Sequence, residues 1–358
     1  MRFYDALQLD PAILKKQIRQ AETPKQKHKM MAATVVRSLL IVIFAIFLIS
    51  PVSDIFGPEN SPMAVALFCI LLGIRFVDFG YLIEDSMINL AVVFALLLFA
   101  PVAAANVNPL LAAVIHVSAF FVILFMTSDE PEMGNAGIYT FAYIYLAGNP
   151  VTGSLLMKRA ALTLVGYGFC GAILYGKHRK KNRDQRFKGL VTQFSLKNKK
   201  TQWQLQLALG VGVLLALGSF FNLKRMMWAA FACGSILGCY CPTENDIRKR
   251  FSQRMVGTLT GTLGFFLCYS VMPESMKPLL GIVGGLSLGF CTDYRYKTAC
   301  NALGALMMAA GIYGLPTSLF LRVANNLLGV VFGCLFLLAF QWVSRTLSSR
   351  QKEENVTV

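Results

Sequence analysis

Apolar runs about as long as a bilayer is thick recur from Ala33 to Phe340, and basic stretches separate several of them. A helix needs roughly 20 apolar residues to cross the hydrocarbon core. Inside that core every backbone N–H and C=O must be bonded within the protein, which leaves helices as the natural solution for such runs. The composition agrees: 56% of the residues are hydrophobic and 15% are charged, against about a quarter charged in soluble domains. The first thirty residues are charged and lack the short apolar core and cleavage site of a signal peptide. Insertion is therefore expected to rest on the first apolar helix.

The runs predict an all-α integral membrane protein with about twelve transmembrane helices, arranged as two parallel six-helix repeats. The expected crossings are near 33–50, 62–80, 86–105, 109–127, 133–149 and 152–175, then 204–221, 226–241, 254–272, 277–292, 297–314 and 317–344. This divides the chain into an amphipathic segment 1–32, a first repeat 33–176, a basic linker 177–202, a second repeat 203–344 and a tail 345–358. In the first segment Asp10 reads as an N-cap with Pro11 at the first helical position. Ile13, Leu14, Ile18 and Ala21 then line up beside Lys15, Lys16 and Arg19. That pattern suits a helix lying on anionic lipid, or equally one packed on the protein.

Net charge is +16, and its placement excludes a nucleic-acid reading. Lys and Arg gather before Arg37, between Lys177 and Lys200, around Arg248–Arg254 and after Arg345, whereas the expected outer loops hold Lys224, Arg225 and Lys277. The asymmetry obeys the positive-inside rule and puts both termini in the cytoplasm. No structural disulfide is expected, and no metal site: Cys239 and Cys241 lack a second pair or a nearby His. No cofactor is expected either.

An arginine recurs within similar apolar stretches, Leu156–Gly166 and Leu319–Gly329, which share Leu, Arg, Ala, Leu and Gly. Met63–Ala66 likewise matches Trp228–Phe231, and Pro109 with two leucines matches Pro278 with two leucines. Arg159 and Arg322 are thus the main candidates for an anion pathway, since a membrane charge costs a few kcal/mol unless it meets water or a partner. A planar guanidinium suits a carboxylate. The plainer reading is that each snorkels, or bonds carbonyls at a helix break. Asn325 and Asn326 follow Arg322 by about a turn and join it as candidates. Arg254 stands at the inner mouth of the ninth expected helix. Beyond it Gly257 and Gly261 form a packing stripe, with Thr258 and Thr262 as a second row; Gly166 and Gly329 are packing candidates in the other two helices. His116 could relay a proton or simply pack. Tyr143, with Tyr139 and Tyr145, could stack on an aromatic ligand or on protein. Asp78, Glu84 and Asp85 read as solvated loop charges, or as proton-coupling groups if transport is proton-driven. The linker, with ten Lys or Arg between Lys177 and Lys200, reads as solvated.

Trp228, a basic stretch, and then Gln253, Arg254, Gly257, Thr258 and Gly261 in the order Gln-Arg-x-x-Gly-Thr-x-x-Gly resemble the fusaric acid resistance family. That family groups with the aromatic acid exporters and, more distantly, with plant aluminium-activated malate transporters. Arg322 to Gly329 resembles its last-helix Arg-x-x-x-x-x-x-Gly. The resemblance is best over 203–344; earlier it is clear only near Arg159–Gly166. Two departures stand out. The third expected helix, Asp85–Pro101, has no Arg-x-x-Gly-Thr, and the linker is shorter than the cytoplasmic domain many relatives carry. The resemblance implies a homodimeric exporter of organic anions, often aromatic carboxylates, in the bacterial inner membrane. The rivals are a passive anion channel and, less favoured, a membrane enzyme or envelope-assembly partner.

Overall fold

The computed structural model describes residues 3–182 and 184–354, without the side chains of 345 and 347–354. Arg2 and Arg183, the side chains of Arg345, Arg350 and Lys352, and residues 355–358 of the expected tail therefore lie outside the described residues. Among the described residues every regular element is helical. The α-helices are α1 (Phe3–Leu7), α2 (Pro11–Arg19), α3 (Pro24–Phe56), α4 (Ser61–Ile74), α5 (Ile83–Ala105), α6 (Pro109–Thr127), α7 (Asn135–Ala147), α8 (Gly153–His178), α9 (Phe187–Thr192), α10 (Lys199–Phe220), α11 (Met227–Leu237), α12 (Glu244–Val271), α13 (Leu279–Leu288), α14 (Tyr294–Tyr313) and α15 (Leu315–Glu354).

Six of them, α3, α5, α6, α8, α10 and α15, are long and apolar enough to cross a membrane. This corrects the expectation of twelve crossings in two parallel six-helix repeats. The reason is length. Helices α4, α7, α11 and α13 have 14, 13, 11 and 10 residues. At about 1.5 Å per residue they measure roughly 15–21 Å, well short of a core about 30 Å thick. Helices α12 and α14 are long enough but too polar to join the six. Nor do the compact units follow the halves of the sequence. One takes 1–48 with 248–326, and the other takes 49–247 with 327–358. Large apolar side chains stand exposed on α3 (Ile43, Phe47), α8 (Leu164, Phe169) and α15 (Leu335, Leu338), a surface that suits lipid rather than water. The chain is a multi-pass membrane protein.

In the first unit, Asp10 caps α2 as expected, its Oδ1 accepting from the Ala12 N–H at 2.7 Å with Pro11 at the first helical position. Leu14 is buried with Ala6, Met30 and Ala33, and Ile18 packs at the edge of this cluster. Part of the α2 apolar stripe is therefore covered by protein, while Ile13 stays exposed. Lys15 Nζ donates to Thr292 Oγ1 at 3.2 Å, tying α2 to the turn before α14.

Helix α12 rests on α14 through the two glycines singled out from sequence. A Cβ on Gly257 would strike the Arg295 carbonyl and Thr298, and one on Gly261 would lie 2.7 Å from Ala299 Cα. The close approach is backbone on backbone, so no rotamer change relieves it. Gly261→Leu is expected to cost at least about 1–3 kcal/mol, the usual range for overpacking, read as a Tm several degrees lower in detergent. An unchanged Tm would show that α12 does not lean on α14 here.

In the second unit, α10 packs on α6, with Gly212 admitting the Val117 backbone. Gln204 Nε2 reinforces this contact by donating to the carbonyls of Ser128 (2.9 Å) and Leu124 (3.3 Å). Short α7 is enclosed by α4, α5, α6 and α11 and buries Tyr139, Tyr143, Ile144 and Leu146. An apolar helix enclosed this way has its hydrophobic surface covered by protein, so its hydropathy resembles that of a spanning helix. Gly166 and Gly329 lie against two of the short helices: a Cβ on the first would strike Leu67 of α4, and one on the second the Ala229 backbone of α11.

Candidate functional site

Within the first unit, α12, α14 and α15 bring Arg254, Tyr294, Arg322 and Asn326 together. Arg254 Nε donates to Asn326 Oδ1 at 2.9 Å, and its Nη1 donates to the Tyr294 hydroxyl at 2.9 Å. Among the described residues Nη2 of Arg254 makes no hydrogen bond. Asn326 Nδ2 in turn donates to the Arg322 carbonyl at 2.7 Å, the i to i+4 geometry of a helix. Arg322 is 4% exposed, and Arg254 is near enough for the two guanidinium charges to repel. Arg250, one turn before Arg254, lies over the Tyr294 ring at 4.2 Å, a cation–π contact. Tyr294 is placed by the start of α14, where Asp293 accepts from the Arg295 N–H at 2.8 Å as N-cap. Asn325 is buried one position before Asn326.

Arg159 sits in the second unit with different partners. It is 1% exposed. Its Nε donates to Asn60 Oδ1 at 2.9 Å, Nη1 to the Asn149 carbonyl at 2.8 Å and Nη2 to the Glu59 carbonyl at 2.7 Å. One guanidinium thus joins the turn before α4, the turn after α7 and α8 itself. Asn60 completes the joint by donating from Nδ2 to the carbonyls of Phe56 (2.9 Å) and Leu155 (3.2 Å).

His116 and Tyr143, also in the second unit, meet each other: His116 Nδ1 lies 2.9 Å from the Tyr143 hydroxyl. The Tyr143 ring stacks on Phe120, with centroids 5.2 Å apart and planes 2° from parallel. Tyr139 packs edge-on against Phe79 at 6.0 Å, and Tyr145 stacks on Phe141 at 5.4 Å. All three tyrosines have protein rings as neighbours.

The basic linker keeps the described Lys and Arg side chains of 177–199 exposed, as expected, and is docked through its backbone and a few side chains. Asp78 Oδ1 accepts from Asn182 Nδ2 at 2.8 Å, and Lys181 Nζ lies 3.4 Å from Oδ2. Asp85 Oδ2 accepts from the Phe187 N–H at 2.9 Å, with Arg186 at 3.9 Å from the same carboxylate. The Leu82 N–H donates to the Gln185 carbonyl at 2.7 Å, and the Phe187 ring packs on Tyr81 at 5.3 Å. Lys200 and Asp129 form a further ion pair. Asp85→Ala removes one of these anchors and is expected to speed tryptic cleavage between Arg179 and Lys200 severalfold; an unchanged cleavage rate would show that the anchor does not hold the linker.

Sequence reasoning did not find Tyr294, Arg250, Asn60 or the buried His178, whose Nε2 lies 2.8 Å from the Ile74 carbonyl and whose Nδ1 is 3.5 Å from Asp78. One signal was available: Arg250 and Arg254 are one helical turn apart. Among the described residues no three His, Cys, Asp or Glu are placed to hold a metal ion. Residues 211–336 match the family described as fusaric acid resistance protein-like. The matched segment contains Arg254, Tyr294, Arg322 and Asn326, and Arg159 lies outside it. No curated protein and no solved structure matches the chain.

Proposed function

We propose that this chain exports small organic anions, aromatic carboxylates above all, and that Arg254 and Arg322 draw the anion into its path. The observation that carries the reading is the convergence of these two arginines, from helices far apart in sequence, around Asn326 and Tyr294. Two like charges held close repel, so an anion between them gains from both. The open Nη2 of Arg254 offers a carboxylate a charge-assisted bond. Arg159 is assigned a different task, because its Nε, Nη1 and Nη2 are already bonded to protein oxygens. Basic segments on the cytoplasmic side would raise the local concentration of anions there. The same proposal places both termini in the cytoplasm of a bacterium, which an even number of crossings permits, with anionic lipid at the basic segments and a homodimeric assembly.

The test is transport by the purified protein in liposomes, with labelled benzoate as probe. Accumulation of benzoate against its gradient under an imposed proton or voltage gradient is the expected result. Downhill movement alone would replace the exporter with an anion channel. Absence of any benzoate movement, in a protein that is folded and inserted, would overturn the proposal.

A further inference from the structure

Helix α12 carries two hydroxyls whose state the packing of the helix does not explain. Thr258 is 0% exposed and Thr262 is 7% exposed. Neither Oγ1 has a hydrogen-bond partner among the described residues. A helical threonine usually avoids that cost by donating to the carbonyl four residues back. This protein uses the device repeatedly: Thr260 donates to the Val256 carbonyl at 2.8 Å, Thr298 to Tyr294 at 2.9 Å, Thr163 to Arg159 at 2.7 Å and Thr127 to Ile123 at 2.8 Å. Thr258 and Thr262 would need only the carbonyls of Arg254 and Thr258, and they do not take them. Thr140 on α7 is also buried without a partner, but it belongs to no such row.

The row is what distinguishes the pair. Arg254, Thr258 and Thr262 follow one another at four-residue spacing and so share one face of α12. Each step advances about 6 Å along the axis. The glycines at 257 and 261 hold the adjoining face against α14, which sets the rotation of α12 and the row lies roughly 100° round from that contact. A charged donor is thus followed by two buried neutral donors, spaced along the same line.

We infer that Thr258 and Thr262 are specificity-determining donors for the carboxylate after it leaves Arg254, their hydroxyls standing in for the water that the anion sheds. The inference rests on the reading of Arg254 and Arg322 as the anion site. Neutral hydroxyls suit this task because they hold an anion without trapping it. Passage needs binding strong enough to admit the ion and weak enough to release it to the next site. The hydroxyls are shielded in this structure, so the anion reaches them when α12 shifts from its neighbours.

The experiment compares Thr258→Val, Thr262→Val and the double variant with Thr258→Ser and Thr262→Ser. Valine keeps the shape and removes the donor; serine keeps the donor. Benzoate flux in liposomes and Tm in detergent are measured on each protein. The expected result is a fall in flux of about tenfold or more for the double valine variant, with serine near wild type. The Tm of the valine variants should be unchanged or higher, because a buried hydroxyl without a partner is destabilising. A lowered Tm in the valine variants would mean the hydroxyls serve the fold, and would overturn the inference. Wild-type flux in the double valine variant would overturn it too and leave the anion site standing. A wild-type protein that moves no benzoate would overturn both.

Discussion

Arg159→Ala is expected to destabilise the protein more than any other single substitution considered. The side chain is closed off from solvent and donates three hydrogen bonds to neutral oxygens at Asn60, Asn149 and Glu59. Removing it leaves the buried Asn60 Oδ1 and two part-buried carbonyls short of a donor, and opens a cavity the size of an arginine. Each unsatisfied polar group costs about 1–3 kcal/mol, so the total is on the order of several kcal/mol, a large share of a typical folding margin of roughly 5–15 kcal/mol. Tm in detergent should fall by ten degrees or more, and much of the protein should be lost during purification. Arg159→Lys should rescue little, because one ammonium cannot reproduce a planar fork aimed at three oxygens. A Tm within a degree or two of wild type in Arg159→Ala would refute the assignment of this arginine to the fold.

Arg322→Ala should have the opposite profile. Arg254 stands close enough to repel it, so deleting one charge relieves repulsion and offsets part of the cost of the cavity left at this buried site. Expression should be retained and Tm should fall by less than in Arg159→Ala, while benzoate flux falls by about two orders of magnitude. That loss corresponds to about 2.7 kcal/mol of lost stabilisation along the path, within the range of a hydrogen bond to a charged group. Arg322→Lys should retain partial flux, since charge remains but the fork does not. Normal flux in Arg322→Ala would remove this residue from the pathway. The two arginines, so alike in sequence context, are thus separable by whether stability or transport responds.

Their separation shows where sequence reasoning reached and where it stopped. Both arginines stood out because a guanidinium in apolar sequence is rare and costly. The stretches around them share five of eleven residues, yet one arginine meets Asn60 and two carbonyls and the other lies beside Arg254. Asn60 and Glu59 lie about a hundred residues from Arg159, and Arg254 about seventy from Arg322, and no local pattern encodes them. The docking of the linker was hidden for the same reason. Its Lys and Arg side chains read as solvated, and those described are exposed apart from half-buried Lys200, but its docking depends on Asp78 in the loop between α4 and α5 and on Asp85 in the first turn of α5. The cap at Asp10 and the approach at Gly257 and Gly261 were legible because each depends on spacing within one helix.

The sequence by itself determined that this is a helical membrane protein, because runs of apolar residues can satisfy their backbone in lipid only by coiling. It also singled out Arg159 and Arg322 as costly to place in apolar surroundings. Only the tertiary structure decided how many helices are long enough to cross. Hydropathy reports removal from water and does not distinguish burial in lipid from burial in protein, so enclosed α7 and its short, largely buried companions α4 and α11 resembled spanning helices until their lengths were seen. The tertiary structure also decided what each buried guanidinium touches, since hydrogen bonds act over about 3 Å and only folding brings such distant residues that close.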